Sequence, residues 1–160
     1  MLFRSGGQLV KDKVKYLGDN TKVKFMMPDG FTGYPDFLAL PEAQGAYLSF
    51  TGLSIDQFPK GGAAEKFQAA YLKEYKVPPT SSFSVYGAAA AQVILDAIAR
   101  SNGTRKDVFA KMKTVDIPAT KSVVGTRLKF DDAGDIMSRD ITILVVKTNA
   151  ETFVKKITVK

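Results

Sequence analysis

Residues 22–31 read Lys-Val-Lys-Phe-Met-Met-Pro-Asp-Gly-Phe, and this stretch decides the fold class. Val23, Phe25 and Met27 alternate with Lys22, Lys24 and Met26, the two-residue period of a strand. Pro28-Asp29-Gly30 closes that strand with turn chemistry. Upstream, Leu9, Val10, Val14 and Leu17 recur at helical spacing until Gly18-Asp19-Asn20, which predicts a helix over 8–17. Downstream, a brief helix is expected over 36–40 and a second strand over 46–50. Strand and helix alternate, so the class is α/β: a Rossmann-like parallel sheet flanked by helices.

The rest of the chain adds helices first and strands last. A loop over 51–62 carries Gly52, Pro59, Gly61 and Gly62. Ala63, Phe67, Ala70, Tyr71 and Tyr75 mark a helix that Val77-Pro78-Pro79 stops. The longest helix starts at a Ser81 or Ser82 cap and runs through Leu95 and Ile98 to Asn102-Gly103. Thr104 and Asp107 have capping-box spacing before Val108, Phe109 and Met112. Strands are expected at 123–125, 128–130, 141–146 and 153–159, with the acidic run 131–135 as a turn. Only two strands, 22–26 and 46–50, accompany the first helices. Two strands do not make a stable open sheet, so part of this fold is expected to lie outside the chain.

The 160 residues include no His, no Cys and no Trp. That removes thiolate and Ser-His-Asp catalysis and any His- or Cys-ligated metal. Lys and Arg number 23 against 16 Asp and Glu, a net charge of +7, which favours acidic partners in general. Lys11, Lys13, Lys15, Lys22 and Lys24 alternate with apolar residues and read as the solvated faces of a helix and a strand. No five like charges run together, which argues against nucleic acid. No stretch approaches the ~20 apolar residues of a membrane span. The first residues lack signal-peptide layout, which leaves a cytoplasmic chain, a mature form or a fragment as expectations.

Few residues carry chemistry. Asp131, Asp132 and Asp135 invite a calcium reading, but Gly134 and Thr142 fall where an EF-hand needs other residues, so a solvated hairpin turn is preferred. Gly6-Gly7 either presents backbone N–H groups to an anion or is a plain turn into the helix, the better reading. Tyr71, Tyr75 and Phe67 read as core packing. The turn 28–31 and residues 50–52 follow the carboxyl ends of two strands, where open α/β sheets bind ligands. No carboxylate pair is placed to split its pKa values for acid–base work, so no enzyme is expected.

In order and spacing these features resemble the carboxyl-terminal part of the type I periplasmic substrate-binding proteins of ABC transporters, the leucine/isoleucine/valine-binding family. Three stretches carry the resemblance: Gly6-Gly7-Gln8-Leu9-Val10 with 23–30; Gly45 to Phe50 with the helices from Ala64 through Ile98; and Val124-Gly125-Thr126-Arg127-Leu128-Lys129-Phe130-Asp131 with Gly134-Asp135. The resemblance implies a two-lobed extracytoplasmic receptor that clamps a small amino acid, or a related carboxylate or amide, and delivers it to an ABC permease. It implies no catalytic residue, metal or cofactor. It places 1–21 in the second lobe, 22–118 in the first and 119–160 back in the second. Helix 8–17 and the last strands would then lack a sheet of their own lobe, which predicts self-association or strand exchange. The expected ligand-binding residues are Arg4, Ser5, Asp29, Phe31, Phe50 and Thr51. Ser5 stands where family members carry an acid for a ligand ammonium, and Arg4 beside it suits a carboxylate. A ligand-sensing regulatory domain of the same fold is the alternative.

Overall fold

The computed structural model describes residues 2–79 and 81–158, with only the backbone of 2–5. Two compact units share the chain: residues 1–54 with 140–160, and residues 55–139.

The first unit holds helix α1 (Leu2–Leu17), strand β1 (Met26–Met27), helix α2 (Pro35–Leu38), strand β2 (Tyr47–Thr51), strand β5 (Asp140–Lys147) and strand β6 (Ala150–Thr158). The sheet order is β1-β2-β5-β6. β1 and β2 run parallel, with Met26 beside Tyr47 and Met27 beside Leu48. β2 pairs antiparallel with β5, Leu48 opposite Leu144, and β5 pairs antiparallel with β6. β5 is the central strand: Thr142 through Val146 are all buried, so both of its faces are covered. Thr148 and Asn149 join β5 to β6 with φ of 51° and 61°, the left-handed pair that a two-residue hairpin turn requires.

The α/β class holds, and two expectations are corrected. The terminal strands do have a sheet, because β5 pairs along all of β2. That pairing also keeps β1 and β2 in one unit with the carboxyl terminus. By compactness the chain passes between its two units at 54/55 and 139/140. Finally, β1 is two residues long, since Val23 N–H bonds back to the Asp19 carbonyl in the turn after α1.

The Lys13 reading is corrected too. Its side chain is 6% exposed. The ammonium donates to the carbonyls of Gly18 (2.9 Å) and Asp19 (3.0 Å), to that of Val23, and to Asn20 Oδ1 (2.9 Å). Asn20, 2% exposed, donates in turn to the Glu42 and Gln44 carbonyls, both at 2.8 Å. The ammonium thus ties together carbonyls of the turn that follows α1, beyond its last residue Leu17.

The second unit contains helices α3 (Ala63–Tyr75), α4 (Phe83–Ala99) and α5 (Arg105–Met112), with β3 (Asp116–Ile117) and β4 (Leu128–Lys129) as an antiparallel pair. Val85, Ala89, Val93 and Ala97 are one buried stripe of α4 at four-residue spacing, and Val115, Ile117, Val124 and Leu128 are buried in the same unit. Ser82 is the residue before α4, but it makes no capping side-chain bond; Ser81 Oγ accepts Phe83 N–H instead. α4 ends at Arg100 in right-handed geometry, ahead of Gly103. Thr104 caps α5 by accepting Asp107 N–H, while the Asp107 carboxylate accepts Asn102 N–H. Residues 123–125 form a turn instead of the expected strand. Gly125 has φ of 69° and donates to the Ser122 carbonyl, and Gln92 takes up Val123 N–H.

Replacing Lys13 by Met removes the ammonium from the Gly18 and Val23 carbonyls and leaves the buried Asn20 Oδ1 without its donor. We expect a loss of about 2–3 kcal/mol in urea unfolding. Lys11→Met, on the exposed face of the same helix, is expected to stay within about 0.5 kcal/mol of wild type.

Candidate functional site

Parallel pairing puts the carboxyl ends of β1 and β2 on one edge of the sheet, and this edge gathers most of the residues expected to meet a ligand. After β1, Pro28 leads into a 3-10 turn over Asp29–Phe31. Thr32 closes the turn through its N–H (2.9 Å) and its hydroxyl (2.7 Å), both donating to the Asp29 carbonyl. Gly33, at φ 73°, donates its N–H to the Glu151 carboxylate of β6 at 2.6 Å. After β2, Gly52 N–H bonds the Asp140 carbonyl at 2.7 Å, and the Thr142 hydroxyl donates to the Gly52 carbonyl at 2.6 Å. Both loops are thus held from behind by β5 and β6.

Within this edge Asp29 and Phe31 are half-buried and Thr51 is exposed. Phe50 is 2% exposed, so its ring belongs to the core and its part in the site is to hold Thr51. Phe31 packs on Phe37, ring centroids 5.4 Å apart. The side chains of Arg4 and Ser5 lie outside the described residues; their backbone is the start of α1, the helix that packs against the Asp29–Phe31 turn. Sequence reasoning missed Thr142 and Glu151, each of which bonds to backbone distant in sequence. It also misread Gly6-Gly7. Both lie inside α1 rather than at its start, and a Cβ at Gly6 would fall inside the Phe31 ring.

The acidic turn is organised around Asp131. Its carboxylate accepts Asp135 N–H (2.9 Å) and Ala133 N–H (3.0 Å) and pairs with Arg139 at 2.6 Å. The Asp135 amide first, with Arg139 and the Ala133 amide, holds the Asp131 carboxyl below the ordinary aspartate value. Asp116 is lowered likewise by its two-pronged bond to Arg127, with Lys129 adding to it. Among the described residues no three acidic side chains are grouped to hold a metal ion. No helix among them is long and apolar enough to cross a membrane.

The model of the periplasmic binding protein family matches residues 8–151, and the chain belongs to that family. In fold it is similar to a leucine-binding protein from Thermotoga maritima MSB8, with TM-score 0.78 and 18% identity, over 97% of this chain and 42% of that one. A solute-binding protein of an ABC transporter from R. palustris, in complex with benzoate, gives TM-score 0.69 and 19% identity, over 96% and 41%. An ABC transporter substrate-binding protein from Desulfitobacterium hafniense, in complex with Leu, gives 0.69 and 18%, over 93% and 40%. The chain spans about two fifths of the length of these structures. No curated protein matches it.

Asp116 and Asp131 titrate below the ordinary aspartate value near 3.9 when folded. Their stabilising effect is therefore complete above that value and is lost as pH falls through the lower folded values. We expect Asp131→Asn to lower the thermal midpoint at pH 7, with the difference from wild type shrinking as pH falls below the ordinary aspartate value.

Proposed function

We propose that this chain is the carboxyl-terminal portion of an extracytoplasmic solute receptor, one that captures a small amino acid or a related carboxylate or amide for an ABC importer. The observation that carries the reading is the family match over 8–151 together with the parallel strands β1 and β2, whose carboxyl ends carry the Asp29–Phe31 turn and Thr51. Asp29 suits a ligand ammonium or amide, Thr51 a hydrogen bond, and Phe31 an apolar body. Arg4 and Ser5, at the start of α1, complete the set, with Arg4 meeting a carboxylate. No bond is made or broken; selectivity rests on a few placed polar groups and the exclusion of water.

The two units belong, in this reading, to the two lobes, and most of the clamp is supplied by chain beyond these residues. Exposed apolar side chains support it: Leu9, Tyr16 and Leu17 on α1, and Ile94, Leu95 and Ile98 on α4. α4 is apolar nearly all round, the pattern of a helix covered on both sides. Without its partner segment the isolated chain is expected to self-associate through these faces or to exchange strands.

Two measurements test the reading. Titrating L-leucine into the 160-residue chain should give dissociation constants in the millimolar range, since closure and much of the buried area are missing. Resonance shifts should centre on Asp29, Phe31, Thr51 and Gly52, and Asp29→Asn or Thr51→Ala should weaken them. Tight stoichiometric binding would contradict the partial site, and no binding at all would contradict the ligand edge. Light scattering should show dimers or larger species that Leu95→Lys and Ile98→Lys reduce; a monodisperse wild-type monomer would sink the self-association.

A further inference from the structure

Gly6 and Gly7 are neighbours in the interior of α1, yet their surroundings differ. A Cβ on Gly7 would meet Leu40 Cδ1 at 3.5 Å, an ordinary contact. A Cβ on Gly6 would overlap Cε1 and Cζ of Phe31 and lie 2.9 Å from its Cδ1. The Phe31 ring therefore occupies the space that any side chain at Gly6 would take. The ring also packs on Phe37 and lines a depression of about 310 Å³ with Gln8, Lys11 and Tyr34. Phe31 ends the turn that carries Asp29, and that turn is tied to β6 through Gly33 and Glu151.

We propose that Gly6 is a positioning residue of the ligand edge: its missing side chain gives Phe31 its seat, and the seat sets where the apolar wall stands beside Asp29. The proposal rests on the reading of this edge as a ligand site and names the residue that tunes its selectivity. A helix-interior glycine is unfavourable in itself, so Gly→Ala at an unconstrained position stabilises the helix. Gly7→Ala is therefore the matched control. Phe31→Leu, which lacks Cε1 and Cζ, is the rescue.

The experiment compares wild type, Gly6→Ala, Gly7→Ala and the double variant Gly6→Ala/Phe31→Leu, reading backbone resonances, thermal midpoints and titrations with L-leucine and with benzoate. Gly7→Ala should keep or raise the midpoint and leave resonances of 29–33 in place. Gly6→Ala should lower the midpoint, displace those resonances and change the ratio of the two dissociation constants by about threefold or more. The double variant should recover the midpoint and the resonances. If Gly6→Ala leaves the resonances or the ratio unchanged while both probes bind, the positioning role is overturned and the ligand edge stands. If neither probe binds wild type, the ligand edge fails, and the positioning role fails with it.

Discussion

One buried ammonium organises the first unit. Lys13 lies three residues after the fully buried Val10 on the inner side of α1, and it gathers the carbonyls of Gly18, Asp19 and Val23 with the side chain of Asn20. Those acceptors sit in the irregular backbone that carries the chain from α1 to β1. The buried Asn20 Oδ1 would otherwise lose its donor, which costs more than an ordinary hydrogen bond returns. Asn20 passes the constraint on to the carbonyls of Glu42 and Gln44, just ahead of β2. Thus α1, the entry to β1 and the entry to β2 are fixed by one connected set of polar contacts. The parallel register that sets Met26 beside Tyr47 and Met27 beside Leu48 starts from it.

The far ends of the same strands are held by different means. Thr142 and the Asp140 carbonyl clamp Gly52, and Glu151 clamps Gly33. Both loops of the edge are surface segments, but neither hangs freely. Under the proposed reading that arrangement is what a ligand edge needs, since its polar groups must stand in place before a ligand arrives. The turn around Asp131 follows a related logic in the second unit. Its carboxylate is spent on backbone amides and Arg139, which is the work of a turn-former.

Much of this was legible in the sequence where the signal was local. Helices α3, α4 and α5 follow from apolar spacing, and the Thr104 cap from its distance to Asp107. The positions of Asp29 after β1 and of Thr51 at the end of β2 follow from the strand pattern. The features that were not legible depend on partners far along the chain. Nothing near Lys13 distinguishes it from Lys11 or Lys15, because its acceptors exist only once the next turn is folded. The role of Gly6 lies in Phe31, and those of Thr142 and Glu151 in Gly52 and Gly33. The pairing of β2 with β5 spans the whole second unit, so a reading by neighbours saw too few strands. Val123-Val124 has the composition of a strand, but Gly125 and Gln92 turn it aside.

The central claim is that this chain is one part of a longer two-lobed receptor. The most direct test is to sequence the coding DNA immediately upstream of Met1 in the source genome. The account predicts an open frame continuous with this one, opening on a signal peptide and long enough to supply the three fifths of the related structures that this chain does not span. A stop codon and a ribosome-binding site directly before Met1 would contradict it.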